Sequence, residues 1–499
     1  MRFLTVIIAF VAGFGFCAGR TSVAGTTLSS SDQTITSWVQ DALHQDPRID
    51  MSQIHVRTDG GIVKLTGRVG SLAGRMYADL EAKKIQGVRG VVNEIEVLPV
   101  LLLKVWNGKG PVDQSRAVPI VRVLTDLEIT RALQSRLQDS VMLRPRHLRV
   151  KVVDGTATLT GEVASYAQRR DADLLAAEQP GVRRVVNGLT VDKQLPRPND
   201  DIRRDVQAAI GRDVYLTGLP LTVRVVDGTV TLSGIVGNPY EKQRAEERAS
   251  AVANVRDVKN EIAVQPREDR GVRSLPPSVP DAQLERAVLS ELREDHRMAA
   301  TPIVVRANQG NVTLLGSVAT YREHGLAEQD AHDVVGVHGV TNLIRIVGKH
   351  QGDLALEQSL RSAFDRDLFL TGQDIQIRVH DGVVILTGTI NRLFEKSHAT
   401  DLASGAFGAQ RVINDLKLNA SPKYGDRELE KRITDRLAAN YYTRWALGRI
   451  HVSVVAGKAY LTGGPVFQSE RKEVELVVGL TDGIRDVDDS LELVEVSPP

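Results

Sequence analysis

Residues 223–234 read VRVVDGTVTLSG, and the fold follows from how that stretch is read. Val223 and Val225 stand at alternate positions before Asp227-Gly228, and Val230 and Leu232 resume the alternation after it. A period of two marks a half-buried strand, and Asp-Gly between two such runs marks a tight hairpin, because glycine takes a positive φ without steric cost. One face of this hairpin is therefore expected to meet a core and the other to meet water.

The pattern recurs as VRTDGGIVKLTG (56–67), VKVVDGTATLTG (150–161), VRANQGNVTLLG (305–316), IRVHDGVVILTG (377–388) and VSVVAGKAYLTG (452–463). Gln309-Gly310 and Ala456-Gly457 depart from the Asp-Gly rule, so those two turns are the weakest hairpin signals. The closing glycines are 94, 73, 82, 72 and 75 residues apart. A unit of roughly 70 residues is near the lower limit for burying an independent core, so a string of small domains is expected rather than one large one.

Before each hairpin lies a helical period, as in Ile35, Val39, Ala42 and Leu43, or Leu284, Ala287, Val288 and Leu292. After each hairpin comes a charged, Ala-rich stretch such as YEKQRAEERASAVA (240–253), suited to a helix with a narrow apolar stripe. A last strand closes each unit: VRGVVNEIEVL from Val88, VRRVVNGLTV from Val182, VRDVKNEIAV from Val255, VHGVTNLIRI from Val337 and RVINDLKL from Arg411. The fold class is α+β, a tandem array of six small αββαβ domains, each a three-stranded sheet packed on two helices. The pattern leaves open which hairpin strand the last one joins. If the two are parallel, the crossover is right-handed. The Leu-Thr-Gly glycines read as chain reversals at a strand end.

The Asp-Gly hairpin, the Leu-Thr-Gly exit and the Gly-Val-x-x-Val-x-Asn approach to the last strand resemble the BON family. The resemblance spans nearly all of the chain after the first 30 residues, and the sixth copy is the most divergent, with Asp488 and Asp489 near where others carry Asn. It implies six BON-like modules of a bacterial envelope protein, associated with phospholipid or envelope contact and with osmotic stress, and without a recognised catalytic site.

The expected organisation is a signal peptide over 1–24, domains over 30–100, 122–195, 199–265, 281–348, 352–420 and 424–496, and linkers over 101–121 and 266–280. Arg2 followed by FLTVIIAFVAGFGF has the form of a secretory signal, too short for a comfortable bilayer span. The expected location is periplasmic or otherwise exported, with membrane association. The only cysteine, Cys17, lies inside that segment, and Phe16 stands where a lipoprotein signal needs a small residue. Removal of the segment leaves a mature chain without thiols or disulfides.

With 63 basic and 62 acidic residues, the net charge of +1 offers no general attraction to nucleic acid, so none is expected as a partner. Phosphate-loop, nucleophile-elbow and paired-His zinc patterns do not occur. Catalytic residues, metal sites and cofactors are accordingly expected to be none. His324, His332 and His338 do not have the spacing of a ligand set, and the Asp of each Asp-Gly is explained by its turn.

Two features point to binding. Arg144, Arg146, Arg149 and Lys151 in RPRHLRVK form a basic segment suited to anionic headgroups. Tyr215 and Leu216, Phe369 and Leu370, and Tyr441, Tyr442 and Trp445 recur between the first helix and the hairpin. They suit a headgroup interface or, as the alternative, plug the edge of each small core. The candidate lipid-binding set is therefore Arg144, Arg146, Arg149, Lys151, Phe369, Leu370, Tyr441, Tyr442 and Trp445. The expected function is non-enzymatic contact with anionic phospholipid or a membrane surface through multiple modules. The alternative is a structural scaffold for envelope proteins or cell-wall polymer.

Overall fold

The computed structural model describes residues 31–98, 124–138, 140, 143, 145–191, 197–213, 215–265, 279–295, 297–298, 302–347, 352–419, 424–444, 446–464 and 468–492. The signal segment and most of both expected linkers lie outside the described residues.

The first unit runs α1 (Asp32–Gln45), β1 (Ile54–Asp59), β2 (Ile62–Val69), α2 (Leu72–Lys84) and β3 (Gly90–Val97). The second repeats it as α3 (Asp126–Gln138), β4 (Arg146–Val153), β5 (Thr156–Val163), α4 (Tyr166–Ala177) and β6 (Arg184–Val191). The third runs α5 (Asn199–Arg212), β7 (Leu221–Val226), β8 (Thr229–Val236) and α6 (Pro239–Ala251), its last strand split into β9 (Asp257–Asn260) and β10 (Ala263–Val264). The fourth runs α7 (Asp281–Glu294), β11 (Val304–Asn308), β12 (Asn311–Val318), α8 (Tyr321–His332) and β13 (Gly339–Ile346). The fifth has α9 (Asp353–Arg366), β14 (Asp374–His380), β15 (Val383–Ile390) and α10 (Leu393–Ser404), then β16 (Arg411–Asn414) and β17 (Lys417–Leu418). The sixth ends the chain with α11 (Asp426–Ala439), β18 (Ile450–Val455), β19 (Lys458–Gly463), α12 (Gln468–Gly479) and β20 (Asp486–Leu491). The α+β tandem array is thus as the repeats imply.

In every unit the hairpin is antiparallel and the last strand joins the second hairpin strand in parallel, as in the order β1-β2-β3. The question the pattern left open is settled by the second helix, which carries the chain back across one face so that both strands run the same way. That helix sits close to the sheet because it presents alanines four apart: Ala78 and Ala82, Ala172 and Ala176, Ala245 and Ala249, Ala327 and Ala331, Ala399 and Ala403, all 0% exposed. The sixth unit uses Val474 and Val478 instead. Among the described residues six apolar clusters result, each centred on one unit.

Two polar clasps recur. The first residue of each first helix holds the hairpin turn: Asp353 accepts from the amides of Asp381 (2.9 Å) and Gly382 (3.0 Å), and Asp32, Asp126, Asp281 and Asp426 do the same in their units. This explains the two weak turns. Gln309 and Ala456 take φ of 51° and 52°, like the Asp residues they replace, because both turn amides are held by Asp281 or Asp426.

The second clasp is the Asn of the last strand. Asn93 donates to the Arg75 carbonyl (2.9 Å) and accepts from the Ile95 amide (3.2 Å), with Asn187, Asn260, Asn342 and Asn414 as equivalents. A carboxylate cannot donate, so Asp489 of the sixth unit accepts the Arg471 guanidinium at 2.7 Å while keeping the Leu491 amide at 2.9 Å.

The Leu-Thr-Gly glycines do not end their strands, except in the sixth unit: β2 continues through Gly67 to Val69. Gly67 has φ of 114°, and a Cβ there would stand 1.9 Å from the Gln53 carbonyl oxygen, so the strand needs glycine for close backbone approach.

Replacing Asp353 by Ala should lower the local opening free energy of the fifth unit by about 1–2 kcal/mol. It is read as faster hydrogen exchange at the Asp381 and Gly382 amides. Asp353→Asn should cost less, since Asn199 serves the third unit with one bond of 3.4 Å to Gly228. Unchanged exchange in the Ala variant would show that the turn does not depend on the clasp.

Candidate functional site

The outward face of each sheet is the first candidate. Arg149 and Lys151 stand exposed on β4, opposite Thr160 and Thr158 of β5. Arg146 begins the same strand, and Arg144 lies outside the described residues. The register places Lys151 in a series that the sequence reading missed. Arg57, Lys151, Arg224, Arg306 and Arg378 occupy the same exposed position of their first strands, opposite Lys64, Thr158, Thr231, Thr313 and Ile385. Ser453 takes the place in the sixth unit. The signal was available, since this is the second residue of each repeated twelve-residue stretch. Exposed apolar residues, among them Val92, Val153, Val186, Val226 and Leu343, stand on the same outward faces.

The aromatic candidates are placed differently. Tyr442 is 4% exposed and joins the core of the third unit, its ring 4.7 Å from Tyr215 and 4.8 Å from Tyr240 and its hydroxyl donating to Asn238 at 3.1 Å. Tyr441 is half-buried beside it. Leu370 is 3% exposed, and half-buried Phe369 meets Phe394, His398 and Tyr77. Trp445 lies outside the described residues. Leu370 and Tyr442 therefore follow the edge-plugging alternative, and the edge that Tyr442 closes belongs to another unit.

Junctions between units form the second candidate. The second helices α2, α4 and α6 touch one another, so the sheets behind them face outward. The third and fourth units are joined where Asp213 and Val334 bridge and the Val335 amide donates to the Arg212 carbonyl at 3.0 Å. The first and sixth repeat the arrangement, with Ile85 bridging Asn440 and the Gln86 amide donating to Ala439 at 3.0 Å.

Around the former lies a buried ion network. Arg244 and Arg248 donate to Asp213 at 2.7 and 2.6 Å, Arg248 also to Glu291, and Arg212 to Glu294 at 2.6 Å. Burial opposes ionisation of Asp213, but Arg244 and Arg248 outweigh it and hold its carboxyl below the ordinary range. Burial instead pushes Glu294 up to about 7 despite Arg212. In the fifth unit His398 Nε2 lies 2.9 Å from both oxygens of Asp367, and that partner raises the imidazole against its burial. A cavity of about 730 Å³ opens among the first four units beside this network.

Among the described residues, one group of three potential metal ligands gathers within 4.8 Å: Asp353, His380 and Asp381. Both oxygens of Asp353 already accept turn amides, and His324, His332 and His338 are not part of the group. No helix among the described residues is long and apolar enough to cross a membrane.

A BON domain family model matches residues 31–99, 125–193, 198–266, 280–348, 352–420 and 425–495. A stretch of 158 residues, 32% of this chain, is 31% identical to 71% of the osmotically-inducible protein Y of Escherichia coli (strain K12). Among solved structures, the C-terminal domain of CdsD, described as the structural protein of the Type III secretion system of Chlamydia trachomatis, is similar at 15% identity with a TM-score of 0.12. That match covers 44% of this chain and 100% of the other. A second CdsD structure is similar at 16% identity with a TM-score of 0.12, over 42% of this chain and 90% of the other.

Asp213→Ala leaves two buried guanidinium groups facing each other, so it should cost about 3–5 kcal/mol. Exchange at the Val335 amide should rise with it, and retained protection there would show that Asp213 does not join the units. Because Glu294 is raised in the fold from an ordinary 4.5 to about 7, its contribution is fully present below pH 4.5 and is lost as pH rises to 7. Melting of the wild type relative to Glu294→Gln should therefore fall between pH 5 and pH 8, and parallel melting curves would contradict it.

Proposed function

Because this chain belongs to the BON domain family over six successive segments, we propose that it is an exported, non-enzymatic envelope protein that contacts anionic phospholipid through the outward faces of its sheets. The observation that carries this reading is the basic residue at one register position of five units, Arg57, Lys151, Arg224, Arg306 and Arg378, with Arg149 adding to the second. Near an anionic leaflet each such charge contributes about 1 kcal/mol, and exposed Val and Leu on the same faces add contact with the interfacial region. Linked modules raise total avidity without any strong single site. A flat bilayer engages a subset of the faces, since the sheets of the first three units point away from their mutually packed helices.

Arg146 and the undescribed Arg144 and Trp445 remain in the proposed contact set. Phe369, Leu370, Tyr441 and Tyr442 serve it indirectly, by holding the units that present the charges. The relative named for osmotic induction supports a role in osmotic or envelope stress. The exposed Val and Leu residues also suit the alternative, a scaffold for envelope proteins or cell-wall polymer.

The test is sedimentation of the mature chain with phosphatidylglycerol-containing vesicles. Protein should pellet at low salt and be released at high salt, and combined Arg57→Glu, Lys151→Glu and Arg224→Glu should weaken binding by at least fivefold in all, the factor for about 1 kcal/mol at whichever of these faces the bilayer engages. Absence from the pellet at low salt would sink the lipid reading. Capture of envelope extract components that persists after lipid removal would favour the scaffold.

A further inference from the structure

We infer that the docking of the fifth unit on the second is governed by the protonation of His398, which holds the two together as an imidazolium and lets them part as the neutral ring. Three junctions set the same two helix positions opposite each other. The residue just before the inward pair of one second helix faces the residue two places beyond the inward pair of another. Where the third unit meets the fourth these are Arg244 and Asp333, 3.3 Å apart, and where the sixth meets the first they are Glu473 and Lys84, 3.1 Å apart. Where the fifth meets the second they are His398 and Glu178, close enough for the Glu178 charge to act on the ring. Two junctions therefore use ions of fixed sign near neutral pH, and the third uses the side chain whose charge changes there.

The backbone leaves this third junction to its charges. Asp213 bridges Val334 and Asn440 bridges Ile85, whereas no such bridge joins Asp367 to Gln179, the corresponding residues of the fifth and second units. The third-unit core takes in Tyr442 and Val335, and the first-unit core takes in Ala439, but among the described residues the fifth-unit core draws only on its own unit. The fifth unit meets its neighbours through polar or half-buried groups. Arg392 donates to the Pro47 carbonyl, the Asp401 carbonyl accepts from Arg322, the Phe369 ring lies 6.3 Å from Tyr77, and Leu393 packs on the sixth-unit core.

The charges at the junction balance only while the ring is protonated. His398 Nε2 lies 2.9 Å from both oxygens of Asp367, and Arg136 donates to Glu178 at 2.5 Å while also facing Asp367. An imidazolium gives two cations against two carboxylates; a neutral ring leaves Arg136 alone against both. Asp367 is 5% exposed, and a carboxylate short of a counter-ion in so dry a place is costly.

The other titratable groups around the ring do not take over its part. Glu395 and Asp401 of α10 are both pushed up by burial, Arg322 of α8 attends Asp401, and burial with the Glu178 charge keeps the Tyr77 phenol of α2 protonated. Burial opposes the imidazolium of His398, but Asp367, followed by Glu178 and Asp401, outweighs it and raises the ring above its ordinary 6.5. Its contribution is then complete below pH 6.5 and is lost as pH rises through the raised value.

Hydrogen exchange of the full chain at pH 6.0 and pH 8.5, expressed as protection relative to the intrinsic rate at each pH, tests this. Segments 176–180 of the second unit and 366–371 of the fifth should lose protection by roughly fivefold or more at the higher pH. The Val335 and Gln86 amides of the other two junctions should keep theirs. His398→Arg, which places the third unit's residue type at this position, should make both segments insensitive to pH. Glu178→Gln, a second variant should the first fail to fold by circular dichroism, should remove the pH response of segment 176–180. A response confined to the fifth unit, which is what a pairing of His398 with Asp367 for that unit's own sake would give, overturns the proposal. So does equal protection at the two pH values, or an unchanged pH response in a folded variant.

Discussion

A carboxylate at the first position of the first helix, gripping the two amides at the tip of a hairpin 28 to 31 residues later, is the constraint on which five of the six units rest, with Asn199 in its place in the third. Both turn residues hold positive φ, a conformation that costs a non-glycine residue energy. The helix start supplies the compensation, and in doing so fixes where the first helix lies across the sheet. The turn then sets the register of β1 on β2, and that register decides which side chains face inward. Once the alternation is in place, the alanine pair of the second helix lets the crossover return close enough for the last strand to join in parallel.

Association of the units obeys a different rule. The face of each second helix not occupied by alanine carries charge, and at the junction of the third and fourth units that charge is buried. Such networks add little net stability compared with apolar contacts, but a wrong pairing leaves an ion without a partner in a dry place. Arg212 with Glu294, Arg248 with Glu291, or Lys84 with Glu473, therefore select which unit docks on which. The same backbone bridge serves both junctions while the ions around it differ. The sheets are left facing outward, where the basic residue at one register position of five units becomes a repeated surface feature.

How far this was legible depended on range. The hairpins, both helices and the closing strand follow from alternation, turn chemistry and an apolar stripe, all visible within a dozen residues. Gln309-Gly310 and Ala456-Gly457 were weak because the compensation comes from Asp281 and Asp426, too far along the chain for local turn statistics to register. Tyr442 suited both a headgroup anchor and a core plug, since an amphipathic ring fits either setting. Its partner Asn238 lies 204 residues away. Leu370 was ambiguous because a purely apolar side chain suits a core as well as a membrane.

The amino-acid sequence by itself determined the six-fold repeat, the αββαβ order and the inward face of every strand, because periodicity and turn preference are properties of neighbours along the chain. Only the tertiary structure decided which hairpin strand receives the last one and which charged helix faces meet. Those outcomes turn on contacts such as Lys84 with Glu473, 389 residues apart, whose formation depends on desolvation and fit and leaves no periodic trace in the sequence.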